Sequence, residues 1–191
     1  MTARLILLSH GSTEAMHRAT FPRDEPLDER GRMGATKLIG RLPRVDCCWT
    51  SPELRACQTA EALGLSARPQ PMLRECDYGR WTGRTLTEIA AHEPHAANSW
   101  LRDPAAAPHG GEPIVDLIRR VAMWLGEEEK RDQRSITVTH STIIRAAIVH
   151  LMHAPPRSFW RIDVAPLSLT RFTGKDGRWN LVCTGCTTSS A

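Results

Sequence analysis

Two histidines stand at the centre of this chain's possible chemistry. His10 ends the run Leu5-Ile6-Leu7-Leu8-Ser9-His10-Gly11-Ser12-Thr13, in which four consecutive apolar residues give way to a small polar residue, a histidine and a glycine. Such a run predicts a buried strand entering a tight loop. In open α/β sheets the loop just past the carboxyl end of a strand is where ligands bind. Gly11 permits a sharp turn there and brings backbone N–H groups close to whatever His10 touches. About 130 residues later Ser135-Ile136-Thr137-Val138-Thr139-His140-Ser141 repeats the pattern, a short β-branched run, a histidine and a small residue, then an apolar helical stretch. Two strands that end on the same edge of a sheet bring both imidazoles to one spot. A neutral imidazole there can act as a nucleophile. The alternative is a pair of structural histidines capping strands, and the two runs alone do not separate these readings.

Further motifs do. Thr50-Ser51-Pro52-Glu53-Leu54-Arg55-Ala56-Cys57-Gln58-Thr59-Ala60 opens a helix, with Ser51 suited to the N-cap and Pro52 to the first helical position. Arg55 then falls in the first turns, where the helix dipole disfavours a cation, so a purely structural role explains it poorly. Met72-Leu73-Arg74-Glu75-Cys76-Asp77-Tyr78-Gly79-Arg80-Trp81-Thr82-Gly83 follows.

Together with the two histidines these stretches resemble the histidine phosphatase superfamily, the phosphoglycerate-mutase-like phosphatases, over most of the chain. That resemblance implies a three-layer α/β/α sandwich with a mostly parallel central sheet. It also implies hydrolysis of a small phosphate monoester, α-ribazole phosphate or a similar metabolite, through a phosphohistidine on His10. Arg55, His140 and backbone N–H groups near Gly11 and Ser141 would bind the phosphate, with Ser9 and Thr13 in the same pocket. Glu75 would be the proton donor, with Asp77 the alternative, and burial is expected to raise its pKa. Arg145 stands where the family has an arginine after its second histidine. No metal or organic cofactor is implied.

The chain departs from the family at two positions that in relatives contact phosphate. Ser9 replaces the arginine that precedes the first histidine, and Met16 takes the place of an asparagine. An arginine of the following loop, Arg18 or Arg23, is the expected substitute ligand. A degenerate member that binds an anion or a protein partner without turnover is the alternative.

The elements that must position these groups follow in order. Leu27 to Leu42 predicts a helix stopped by Pro43, and Val45–Thr50 a second strand. Thr85 to Ala91 predicts a short helix, and the segment 85–110, rich in alanine and proline and holding Trp100 and His109, a cap over the pocket. Ile114, Leu117, Ile118, Val121, Trp124 and Leu125 recur at helical spacing. Thr142 to Met152 predicts a helix, and 167–184 a hairpin turning at Gly174-Lys175-Asp176-Gly177. The tail 187–191 is expected to be disordered. The 191 residues fit one domain, and 41% hydrophobic and 24% charged residues are ordinary for a globular protein. A net charge of +4, spread among scattered arginines, suits a small anionic substrate and gives no footprint for nucleic acid. The apolar run before Ser9 is too short for a signal peptide or a membrane span. A cytoplasmic protein with free cysteines, able to form a homodimer, is the resulting expectation. Cys183 and Cys186 form a lone C-x-x-C without a second pair to complete a zinc site.

Overall fold

A computed structural model describes residues 3–175 and 178–186. The first strand, β1 (Ala3–Ser9), lies inside a six-stranded sheet. Its apolar run is continuous because both of its faces are covered. Leu5 and Leu7 face one core with Trp49 and Trp124, while Ile6 and Leu8 face a second core with Ala35, Ala56 and Ala60. The period-2 alternation of strand side chains divides the run between the two layers. Each buried leucine or isoleucine contributes about 1.5–3 kcal/mol.

After β1 come the short helix α1 (Glu14–His17), α2 (Glu29–Thr36), β2 (Cys47–Thr50), α3 (Leu54–Ala62) and the two-residue β3 (Arg68–Pro69). Then follow α4 (Leu86–His92), α5 (Pro94–Arg102), α6 (Ile114–Lys130), β4 (Arg134–Thr139) and α7 (Ser141–Leu151), and the chain closes with β5 (Leu169–Lys175) and β6 (Arg178–Cys186). The strand order is β3-β2-β4-β1-β5-β6. β1 and β2 run parallel to β4, and β3 runs parallel to β2, whereas β5 is antiparallel to β1 and β6 to β5. The α/β/α arrangement with its mostly parallel sheet is therefore present, α2 and α3 on one face and α6 and α7 on the other.

The register is what matters for chemistry. Ser9 pairs with Thr139, so His10 and His140 leave adjacent strands at the same carboxyl edge. The His10 amide donates to the Thr139 carbonyl at 2.9 Å and extends the ladder one residue past the strand.

Several boundaries differ from expectation. α2 stops at Thr36 and loosens into turns ending at Gly40, whose φ of 73° needs no Cβ penalty only because it is glycine. β2 begins at Cys47 instead of Val45, since Asp46 turns aside to pair with Arg134. Thr85 caps α4 with a full capping box, closing the loop before it. Cys183 and Cys186 are joined as a disulfide on β6, where free thiols were expected; the left-handed Gly185 and a register shift against β5 at this point accompany a Cα–Cα separation of 6.4 Å. The expected 174–177 turn lies partly outside the described residues, and the 187–191 tail lies wholly outside them. Among the described residues no helix is long and apolar enough to cross a membrane.

Candidate active site

His10 is 6% exposed, and its ring is oriented from behind. Nδ1 lies 2.7 Å from the Gly11 carbonyl oxygen, which can only accept, so Nδ1 carries the proton and donates. Nε2 is thereby left with its lone pair, and the Nε–H of Arg55 donates to it at 3.2 Å. Burial, then the charges of His140 and Arg55, push the His10 pKa down to about 3. The imidazole is neutral throughout the physiological range, which is the form a nucleophile needs.

Gly11 does this work differently from expectation. Its amide donates to Thr59 Oγ1 at 3.0 Å, so that N–H is not directed at a ligand. A Cβ at position 11 would lie 2.8 Å from the Gly31 carbonyl oxygen, which explains the glycine as a close crossing of two backbones. Gly11 thus orients His10 and does not join the anion cradle.

Arg55 is 1% exposed at the start of α3. The helix begins two residues later than expected, with Glu53 at the N-cap, because Ser51 is drawn elsewhere. Besides His10, the guanidinium donates to the Arg23 carbonyl at 2.7 Å and to Glu75 Oε2 at 3.1 Å. A buried cation is tolerable only when so fully partnered. Glu75 also accepts from Thr142 Oγ1 and from the Cys76 amide. Burial drives its carboxyl pKa up, but His140, Arg55, Thr142 and the Cys76 amide together outweigh burial and leave it below the ordinary carboxylate value. The expected upward shift is therefore reversed: the charges and hydrogen bonds around the carboxyl win over desolvation.

His140 is fully buried behind these groups. Its Nδ1 stands 3.4 Å from Glu75 Oε2. Its Nε2 lies 2.7 Å from Ser51 Oγ and 3.0 Å from Glu53 Oε2. Glu53 also accepts from Ser51 and from the Glu75 amide. Burial opposes the Glu53 charge, yet hydrogen bonding and charge from His140, helped by Ser51, bring its pKa down to about 2. The two imidazoles meet edge to face with centroids 5.2 Å apart.

In front of this network opens a cavity of about 440 Å³, lined by Ser9, His10, Thr13, Arg55, Glu75, Ser141 and Thr142 and walled by Phe21, Tyr78, Leu86 and Trp100. Four of the expected groups besides Arg55 and Glu75 thus reach it: Ser9, His10, Thr13 and Ser141. His140 stands behind it. Arg18 does not reach it. That side chain is 71% exposed and pairs with Glu14 one helical turn earlier, because α1 ends there and turns its last residues to solvent. The Arg23 guanidinium packs on Gly83 outside the cavity, and only its carbonyl serves the site, as the acceptor for Arg55. Asp77 is committed to the Gly79 amide, leaving Glu75 as the carboxyl at the cavity.

Three contributors escaped the sequence reading, and Thr142 adds a hydroxyl bond to Glu75 beyond the backbone N–H donors expected near Ser141. Glu53 occupies an unassigned position inside the Ser51–Ala60 motif. Thr59 holds Gly11 from within a recognised motif. Glu25 lies 3.2 Å from Thr13 Oγ1 and 3.9 Å from Arg55, and nothing local in its loop marks it.

A mixed sheet with two strand-end histidines, an arginine at a helix start and a buried glutamate defines the histidine phosphatase fold class. The sequence model of the histidine phosphatase superfamily (branch 1) matches residues 5–187, and the chain belongs to that superfamily. It is 30% identical to phosphoserine phosphatase 1 of Hydrogenobacter thermophilus, covering 82% of this chain and 80% of that one. It is 33% identical to glucosyl-3-phosphoglycerate phosphatase of Mycobacterium tuberculosis, covering 80% and 76%. A bifunctional protein of the same organism is 32% identical over 88% of this chain, which spans half of that relative's length. The solved mycobacterial glucosyl-3-phosphoglycerate phosphatase superposes with a TM-score of 0.84 at 26% identity, covering 98% of this chain and all of that one. The α-ribazole phosphatase of Shigella flexneri shares the fold, with a TM-score of 0.83 at 23% identity, covering 96% of each chain.

Proposed function

We propose that this protein hydrolyses small phosphate monoesters through a phosphohistidine at Nε2 of His10. The observation that carries the reading is the His10 ring itself, with Nδ1 tied to the Gly11 carbonyl, a pKa near 3 and an unprotonated Nε2 that accepts from Arg55 at the cavity. Arg55 exchanges its bond to Nε2 for the incoming phosphoryl oxygens. The first amides of α7, at Ser141 and Thr142, have no partner within the helix and add donors on the same side. The His10 lone pair attacks phosphorus in line as the bond to the leaving oxygen breaks, and that oxygen takes a proton from Glu75. Water then attacks the phosphohistidine and gives its proton to Glu75, which releases phosphate and restores neutral His10.

The neighbours of Glu75 favour its ionised form before substrate binds. Substrate binding engages Arg55 and places negative charge beside the carboxyl, and both effects raise its pKa toward the acid form. His140, held by Glu53 and Ser51, supports Glu75 and His10 from behind. The segment 85–110 acts as a cap through Leu86 and Trp100, and it shapes the space for the leaving group. The relatives named for phosphoserine and glucosyl-3-phosphoglycerate support a metabolite-sized substrate, and a cytoplasmic setting fits that role.

Ser9 favours a second reading, anion binding without turnover, because it removes one charge-assisted contact worth about 1.5–3 kcal/mol. The two readings part on purified protein assayed for phosphate release from a panel of phosphate esters. Turnover lost in His10→Ala supports the enzyme. Binding of the same esters without release, in both proteins, supports the binder.

A further inference from the structure

The cavity holds a second arginine that the phosphoryl chemistry above does not use. Arg145 lines it from α7, one turn beyond Ser141 and Thr142. Its Nε is buried and has no hydrogen-bond partner among the described residues. Among the described residues its one ion pair, at 3.8 Å, is with Asp163, whose side chain is fully exposed, and so distant a solvated pair contributes little. The guanidinium lies over the Phe159 ring, 5.7 Å from its centroid, a contact that leaves its donors unsatisfied. A buried donor left unpaired costs on the order of what a ligand acceptor would return on pairing with it.

The position says which part of a ligand that would be. The helix start, with Ser141 and Thr142, borders the site of the phosphoryl group. Three residues further along an α-helix lie about 4.5 Å away. Thr142, between the two, hydrogen-bonds the proposed proton donor Glu75, which marks the side from which the leaving group departs. Arg145 therefore faces the leaving alcohol and not the phosphorus.

From this placement we infer that Arg145 binds a carboxylate carried by the leaving group, so that the preferred substrates are phosphate esters of hydroxy acids. A single guanidinium presents a planar fork that matches a carboxylate. A second phosphate is the poorer fit, because Glu25 and Glu75 line the same cavity and Arg145 alone would have to neutralise a dianion. The inference rests on the phosphatase reading for its kinetic form but not for its binding form.

The test compares O-phosphoserine with O-phosphoethanolamine, which differ only by the carboxylate. On the wild-type protein, kcat/KM is expected to favour phosphoserine about tenfold to a hundredfold, the range for one charge-assisted contact. In Arg145→Gln that ratio should collapse toward one, mainly through a rise in KM for phosphoserine. Arg145→Lys should restore part of it. A wild-type ratio near one, or a ratio that survives in Arg145→Gln, overturns the proposal. If the protein releases phosphate from neither ester nor from the wider panel, the phosphatase reading has failed. Calorimetric affinities of the same two esters for wild type and Arg145→Gln then decide the carboxylate subsite by the same ratio.

Discussion

Protonating His10 in the folded protein is expected to be costly, and the cost can be read from the pH dependence of stability. A histidine has an ordinary pKa of 6.5, and burial, His140 and Arg55 hold this one at about 3. At about 1.4 kcal/mol per unit, the folded state resists this proton by about 5 kcal/mol, an order-of-magnitude figure. The ring is 6% exposed, so solvent screens little of it. The folded pKa lies below the unfolded one, so the unfolded chain takes up a proton first as pH falls. Stability is full above pH 6.5 and drops by about 1.4 kcal/mol per unit between 6.5 and 3. His10→Gln removes this dependence. Any constant loss from leaving Arg55 without its acceptor offsets the variant's curve but does not change its slope. Urea unfolding of both proteins from pH 7.5 to 5 should show the variant gaining about 2 kcal/mol relative to wild type over that range. Histidine NMR should show one ring that keeps its neutral shifts at pH 5. Parallel stability curves, together with a His10 resonance titrating near 6.5, would refute the claim that the nucleophile is held neutral by its surroundings.

Other outcomes follow from the same network. Glu75→Gln should slow esters with poor leaving groups by about 10²–10⁴, and nitrophenyl phosphate by less than about tenfold, since that leaving group needs little protonation. Equal losses on both would move the acid role elsewhere. Glu53 is stabilised as an anion, with its pKa down from 4.5 to about 2, so its contribution is present above pH 4.5 and fades as pH falls toward 2. Glu53→Gln should cost on the order of 3 kcal/mol at pH 7, with the difference shrinking by pH 3 in urea unfolding. Ser9→Arg should lower the KM for phosphate esters by about tenfold or more, by supplying a charge-assisted contact to the cavity. Arg18→Ala should leave KM within about twofold, as befits an exposed side chain paired on the surface.

The legible and illegible parts of this chain divide along physical lines. The four-residue apolar run of β1 and the β-branched run of β4 announced buried strands, because a strand covered on both faces admits few polar residues. From that, and from the histidine following each run, the meeting of His10 and His140 could be anticipated. Arg55 and Glu75 were marked by motifs. Arg18 could not be judged, since nothing in Ala15 to Pro26 says that α1 ends by pairing Arg18 with Glu14. Glu53 was equally hidden. Its role depends on His140, 87 positions away, and on Ser51 abandoning the helix cap to share a hydrogen-bond network with both. The reversal at Glu75 has the same origin. Burial could be guessed from sequence, but the placing of Arg55, His140 and Thr142 beside it is a product of tertiary packing.

The most direct test of the account is the chemistry of the intermediate. The protein, mixed with a turned-over phosphate ester and quenched within a single turnover, should carry an acid-labile, base-stable phosphate. Peptide mapping should place it on His10, and 31P NMR of the denatured phosphoprotein should identify the Nε2 isomer, because Nδ1 is engaged with the Gly11 carbonyl. Phosphate on another residue, on Nδ1, or no phosphoenzyme at all during measurable turnover would contradict it.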